Sequence, residues 1–113
     1  MNAEHRRAER AAGYDKAVLL DTMTPGYLRD LSATGAQVAF LRRVAVSEGQ
    51  TVVIRVIPVH DGTIAPFRLS FEVRWVKSDP VWFVMGGQIR CSTGQEAASL
   101  NKLVEYYEGA ARR

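Results

Sequence analysis

Residues 67–76 read FRLSFEVRWV, and this stretch decides the fold. Apolar residues occupy every second position from Phe67 to Trp75, and polar or charged residues fill the positions between them. Successive side chains of a strand point to opposite faces, so this alternation predicts a β-strand with one face in a core and the other in solvent. The residues expected in the core are Phe67, Leu69, Phe71, Val73 and Trp75.

Shorter strand patterns lie on both sides of this stretch, at residues 16–22, 27–31, 36–40, 52–56 and 81–85. Turn-forming residues separate them at 24–26, 48–50, 61–62 and 77–80. Gly86-Gly87 indicates a bulge or a close approach of two backbone segments. Six short antiparallel strands in one small domain are most economically closed into a barrel, which leaves no exposed sheet edge.

Residues 93–109 are predicted to form a helix after the last strand. Thr93 and Glu96 have the spacing of a capping box, in which each side chain satisfies a free backbone N–H at the helix start. Gly109 stands where a C-terminal cap is expected. The apolar residues recur at helical spacing and form one stripe: Leu100, Leu103, Val104 and Tyr107.

Composition limits the class of protein. The 113 residues make one domain with a net charge of +3, in which no apolar run is long enough to span a bilayer and no secretory signal opens the chain. Cys91 is the single cysteine, so no internal disulfide can form, and we expect a cytoplasmic protein. His5 and His60 lack partners at metal-ligand spacing, and no catalytic constellation is present, so we expect neither a metal site nor an enzyme.

Two motifs carry the functional signal. Residues 1–13 form a charged, alanine-rich arm that we expect to be flexible, ahead of a barrel at 14–91. Arginine presents a planar fork of donors that matches phosphate oxygens and the guanine edge, and a turn with Asp and Ser supplies hydrogen-bonding groups. Arg29 is expected to point away from Asp30. The candidate ligand residues are Arg6, Arg7 and Arg10 in the arm, then Asp30, Ser32 and Gly35 one strand later.

The order Arg6-x-x-x-Arg10 followed by Asp30-x-Ser32-x-x-Gly35 resembles the PilZ domain family of bacterial cyclic di-GMP receptors. The resemblance implies a six-stranded antiparallel barrel, mainly β, with one C-terminal helix. It also implies that Arg6 and Arg10 bind guanine edges and phosphates, while Asp30 and Ser32 contact the base or hold the turn. A receptor of this kind performs no chemistry, needs no cofactor, and reports nucleotide level to a separate, unidentified protein in motility, exopolysaccharide or virulence control.

Two other interpretations stay open. The first is a PilZ-like adaptor that binds no nucleotide and acts by protein contacts alone. The second is a small barrel that binds single-stranded nucleic acid, which would need exposed aromatic residues on a basic face. The aromatic residues of 67–75 are predicted on the face opposite to the arginines, which disfavours this alternative. Trp75 and Trp82 are expected to be packing residues, with a place near the ligand face as the alternative for Trp82.

Overall fold

Six antiparallel strands close into a barrel in the computed structural model, which describes residues 15–59 and 62–111. Around the barrel the strands follow the order β1-β2-β3-β6-β5-β4, and one helix, α1, follows them in the chain. This architecture confirms the predicted fold class. The elements are β1 (Lys16–Leu19), β2 (Thr24–Leu31), β3 (Gly35–Phe40), β4 (Thr51–Ile57), β5 (Phe67–Ser78), β6 (Phe83–Arg90) and α1 (Gly94–Ala111).

The core forms where the alternating apolar residues of the strands meet inside the barrel. The predicted inner positions of β3, β4 and the first half of β5 are all buried, as their period-two pattern requires. Because the barrel is closed, each of these side chains packs against residues from several strands. The inner residues are Ala36, Val38, Phe40, Val52, Ile54, Val56, Phe67, Leu69, Phe71 and Val73.

Trp75 does not belong to this core, so its sequence-based placement was wrong. Val73 pairs with Gly87 and Trp75 pairs with Gly86, which leaves Arg74 as an extra residue in β5. Such a bulge shifts the alternation by one position. Trp75 therefore points outward and remains 39% exposed.

A second bulge lies in β2, where Leu28 pairs with Val38 but Asp30 pairs with Gln37. The extra residue is Arg29. Arg29 and Asp30 are consequently both exposed on the outer face, and the expectation that they point in opposite directions was wrong.

The turn between β1 and β2 also differs from the prediction. Pro25 and Gly26 suggested a turn at 24–26, but β2 already begins at Thr24. The chain reverses at residues 20–23, where Met23 adopts a positive φ of 54°. Gly26 is a buried strand residue because the Phe40 ring packs where a side chain on Gly26 would lie.

Helix α1 begins with the predicted cap. The Thr93 hydroxyl accepts a hydrogen bond from the Glu96 N–H at 3.1 Å, and the Glu96 carboxylate accepts one from the Ser92 N–H at 3.2 Å. Its apolar stripe packs on the barrel core, as predicted. The helix continues through Gly109 to Ala111, so Gly109 is not its cap. A single glycine weakens a helix by about 1 kcal/mol without having to end it.

A buried carboxylate fastens α1 to the barrel. Asp15 is fully buried, and its Oδ2 accepts a hydrogen bond from the Tyr107 hydroxyl at 2.9 Å. Its Oδ1 accepts one from the Val59 N–H at 2.7 Å. Because a buried polar group must be hydrogen-bonded to be tolerated, these contacts fix the helix, the start of β1 and the segment after β4 together.

Tyr107→Phe should weaken this junction. The substitution keeps the ring but removes the hydroxyl that donates to Asp15, so the free energy of unfolding should fall by about 1–3 kcal/mol. Urea denaturation followed by circular dichroism measures the loss. Tyr27→Phe is the matched control, since the Tyr27 hydroxyl has no hydrogen-bond partner among the described residues, and it should change stability little. Equal stability of the two variants would contradict the role assigned to Asp15.

Gly87→Ala should destabilise the barrel where β5 and β6 approach. A Cβ on Gly87 would overlap the backbone carbonyl oxygen of Glu72, which cannot move without disturbing the strand pairing. Overpacking of this kind costs about 1–3 kcal/mol, which lowers the melting temperature by roughly 4 °C or more. Gly62→Ala is the control, because nothing lies within 4 Å of a Cβ there. A thermal melt in which both variants match the parent would rule out the close approach.

Candidate functional site

The two bulges place one row of residues across the outer face of four strands. Asp30 on β2 pairs with Gln37 on β3, Gln37 pairs with Gly86 on β6, and Gly86 pairs with Trp75 on β5. Neighbouring strands are about 4.8 Å apart, so Asp30 and Trp75 lie about 14 Å from each other along this row. We call this surface the Asp30–Trp75 row.

The indole of Trp75 lies against the backbone of β6. A Cβ on Gly86 would overlap the Cε2, Cζ2 and Nε1 atoms of the ring, so the ring occupies the space that a side chain at 86 would need. Part of the indole still faces solvent. An aromatic ring held in this way offers a rigid apolar surface to a planar ligand.

A depression of about 420 Å³, open to solvent, adjoins the indole. Because the depression is shallow, it can cover only one side of a bound molecule. Most of its polar groups come from strand residues that sequence analysis did not single out. The lining residues are Thr34, Arg74, Trp75, Gly87 and Gln88.

The turn at residues 32–35 carries Thr34 to the edge of this depression. The Ser32 N–H donates to the Gly35 carbonyl at 2.9 Å, and the Gly35 N–H donates to the Ser32 hydroxyl at 3.1 Å. The Thr34 N–H is also directed at that hydroxyl, at 3.4 Å. Ser32 and Gly35 therefore fix the turn, which is the local role that such residues commonly have.

Asp30 keeps part of its carboxylate available. Its Oδ1 accepts a hydrogen bond from the Leu31 N–H at 2.9 Å, while Oδ2 accepts none from the described residues. Since the residue is exposed on the outer face, Oδ2 can accept hydrogen bonds from a bound molecule.

Arg74 supplies a cation beside the depression. Its Nη2 donates to Gln88 Oε1 at 2.8 Å and lies 3.4 Å from Glu72 Oε1. Because the pair is exposed, the attraction between Arg74 and Glu72 is weak and leaves the guanidinium free to turn towards an anion.

The other tryptophan packs next to the row. Two backbone N–H groups, of Trp82 and Val81, donate to Asp79 and lower the pKa of that carboxyl. This anchors the β5–β6 turn, and the Trp82 ring meets the Tyr27 ring edge-on with centroids 6.1 Å apart. Trp82 is thus half-buried against an aromatic neighbour, in agreement with its predicted packing role.

The described part of the chain was also compared with the requirements of a reactive thiol, a metal site and a membrane-spanning helix. Burial, and to a lesser degree the Glu96 carboxylate, raise the pKa of the Cys91 thiol, which opposes thiolate formation. Residues 15–59 and 62–111 contain no group of three or more His, Cys, Asp or Glu side chains that could hold a metal ion. Within the same ranges, no helix has the length and apolar character needed to cross a membrane.

The structure brings half of the predicted ligand residues together. Asp30, Ser32 and Gly35 lie at the β2–β3 edge of the outer face. The other three, Arg6, Arg7 and Arg10, lie outside the described residues. Sequence analysis missed Arg74 and Gln88, although the glycine pair at 86–87 already indicated a close approach on this strand.

Comparison with known proteins identifies the family. The family model described as PilZ domain matches residues 4–109, a range that includes both motifs and nearly the whole chain. No match is found among curated proteins. PilZ domains are receptors for cyclic di-GMP and act as binding domains rather than enzymes. The chain, with its closed barrel, C-terminal helix and paired motifs, belongs to the PilZ domain family.

Proposed function

We propose that this chain is a cyclic di-GMP receptor that binds the nucleotide on the outer face of β2, β3, β6 and β5. The observation that carries the proposal is the position of the Asp30–Trp75 row, which joins the second motif to an open depression with an aromatic wall. In this proposal the protein only binds the nucleotide, and no bond in the nucleotide is made or broken.

The arginine motif supplies the charge that the ligand requires. Cyclic di-GMP carries two phosphates and two guanines, and guanidinium groups bind both phosphate oxygens and the O6/N7 edge of guanine. In this proposal Arg6 and Arg10 take these contacts, and Arg7 adds a further phosphate contact. We expect the arm at 1–13 to close over the nucleotide and to provide them.

In this proposal the second motif contacts the guanine base from the barrel surface. The Oδ2 atom of Asp30 accepts hydrogen bonds from the guanine N1–H and N2–H₂ groups. Ser32 acts chiefly by holding the turn, as its contacts to the backbone of Gly35 support. Gly35 contributes backbone rather than a side-chain contact.

Trp75 provides a stacking surface for a guanine at the far end of the row. Base–aromatic stacking contributes about 1–3 kcal/mol per base in nucleotide-binding proteins. Arg74, next to it in the bulge, is close enough to the depression to meet a phosphate. In this proposal Asp30 hydrogen-bonds one end of the ligand, and Trp75 stacks on a guanine at the other end.

The signal then passes to another molecule. Closure of the arm would replace an exposed nucleotide face by a new surface, which is an order–disorder type of switch driven by charge-assisted contacts. We place this receptor in the bacterial cytoplasm, with a separate protein as its target in motility, exopolysaccharide or virulence control.

Isothermal titration tests the ligand and the arginine motif together. The parent protein should bind cyclic di-GMP in preference to GMP. Arg6→Ala and Arg10→Ala should each weaken binding about tenfold or more, because each removes a charge-assisted hydrogen bond of about 1.5–3 kcal/mol. Arg42→Ala is the control, since Arg42 is exposed beyond the end of β3 and forms no ion pair with the described residues.

Two outcomes contradict this assignment. An absence of binding heat for the parent protein would support the adaptor that binds no nucleotide. Normal binding by the Arg10 variant would show that the arginine motif is not part of the site.

Trp75 can report binding directly. In a Trp82→Phe variant Trp75 is the sole tryptophan, so stacking of a guanine should change its fluorescence intensity as cyclic di-GMP is added. Trp75→Ala should weaken binding by about tenfold, in line with the loss of one stacked base. Unchanged fluorescence together with unchanged affinity of the Trp75 variant would remove the indole from the site while leaving the arginine motif untouched.

A further inference from the structure

Two arginines face each other on the side of the barrel formed by β4 and β5. Arg55 and Arg68 are directly paired in the ladder between these strands, and both side chains are exposed. Side chains at such paired positions have Cβ atoms about 4.5–5.5 Å apart, and like charges there destabilise a sheet. The fold thus carries a repulsion at this point.

Two further cations extend the pair into a diagonal. Arg90 on β6 pairs with Ser70, two residues beyond Arg68 on β5. Lys16 on β1 pairs with Ile57, two residues beyond Arg55 on β4. Diagonal neighbours of this kind lie about 7–8 Å apart and the directly paired Arg55 and Arg68 about 5 Å apart, so the four exposed cations span about 20 Å of the sheet. We call Lys16, Arg55, Arg68 and Arg90 the cationic diagonal.

No carboxylate of the described residues neutralises these groups. Within residues 15–59 and 62–111 none forms a salt bridge with Arg55, Arg68 or Arg90. The acidic residue on the outer face of β5 is Glu72, which lies 3.4 Å from Arg74. Among the described residues, Arg55, Arg68 and Arg90 are therefore exposed cations without a carboxylate partner.

Apolar side chains lie between the cations. Val53 is 36% exposed, and Val18 and Ile57 are partly exposed on the same outer face. The outward positions of β1 and β4 and those of β5 before the bulge carry no aromatic residue. A single-stranded nucleic acid would find no base-stacking surface here, whereas a protein segment would find both charged and apolar contacts.

The cationic diagonal shares β5 and β6 with the proposed nucleotide face, but its other two members, Lys16 and Arg55, lie on strands outside that face. The barrel order puts β4 and β1 on the opposite side from β3, and the diagonal is centred on β4 and β5. The Asp30–Trp75 row runs across β2, β3, β6 and β5 at a different level.

We propose that the cationic diagonal docks an acidic segment of a partner protein, with carboxylates spaced over about 20 Å and apolar residues between them. Guanidinium groups bind carboxylates in bidentate fashion, so such a segment would relieve the repulsion between Arg55 and Arg68. The apolar side chains of the segment would cover Val18, Val53 and Ile57. The proposal concerns a site for a protein and does not depend on nucleotide binding.

Fluorescence anisotropy with defined probes tests this surface. The probes are a labelled peptide of interspersed Glu and Leu residues, a peptide of the same length with Gln in place of Glu, and a single-stranded oligonucleotide of equal charge. At low salt the full chain should bind the Glu peptide at least tenfold more tightly than either other probe. Tighter binding of the oligonucleotide, or equal binding of the Gln peptide, would overturn the proposal.

Charge-reversal variants locate the binding. Arg55→Glu should reduce affinity for the Glu peptide at least tenfold, while Arg42→Glu, the same charge change at an exposed arginine elsewhere, should change it less than twofold. Equal losses of peptide affinity in both variants would show that binding depends only on the net charge of the protein, and would contradict a specific surface.

Thermal melts test whether misfolding of the Arg55→Glu variant explains its loss of peptide affinity. Arg55→Glu places opposite charges across the β4–β5 ladder, so without peptide its melting temperature should rise by roughly 1–4 °C. Added Glu peptide should raise the melting temperature of the parent protein but not that of the Arg55 variant. A peptide effect of the same size in both proteins would refute docking on the diagonal.

Discussion

The close pairing of β5 with β6 is the constraint on which the rest of this structure depends. β5 runs over Phe67–Ser78 and joins β4 to β6 in the barrel, so its inner residues fill much of the core. Gly87 lacks the side chain that would collide with the backbone of β5, and Gly86 leaves room for an indole outside. The bulge at Arg74 is accommodated here, which lets one strand serve the core in its first half and the surface in its second.

A second fixed point links the fold to the start of the chain. Asp15 lies two residues after the predicted arm at 1–13 and accepts hydrogen bonds from Tyr107 on α1 and from the segment after β4. Its backbone carbonyl also accepts a hydrogen bond from Leu28 in β2, two residues before the motif residue Asp30. The start of β1, the strand that leads to the second motif and the C-terminal helix therefore meet within one hydrogen-bonded group.

The barrel presents two chemically different outer faces. One combines a carboxylate, a fixed turn and an indole, which suits a planar, phosphorylated nucleotide. The other combines four cations with small apolar side chains, which suits an acidic protein segment. We propose the first face for the nucleotide and the second for a protein partner. A closed barrel supplies both, because every strand is buried on its inner side and free to vary on its outer side.

The sequence by itself determined the local patterns. Period-two alternation identified the inner residues of β3, β4 and the first half of β5, and the helical stripe identified the packed face of α1. The family was identified by the spacing of Arg6, Arg10, Asp30, Ser32 and Gly35. Tertiary structure alone decided the strand register. One extra residue at Arg29 and one at Arg74 turned Asp30 and Trp75 to the same outer face, although they are far apart in the chain. Register likewise placed Arg55 opposite Arg68. A one-residue shift reverses the direction of every following side chain, and it is set by long-range pairing and packing that no local pattern contains.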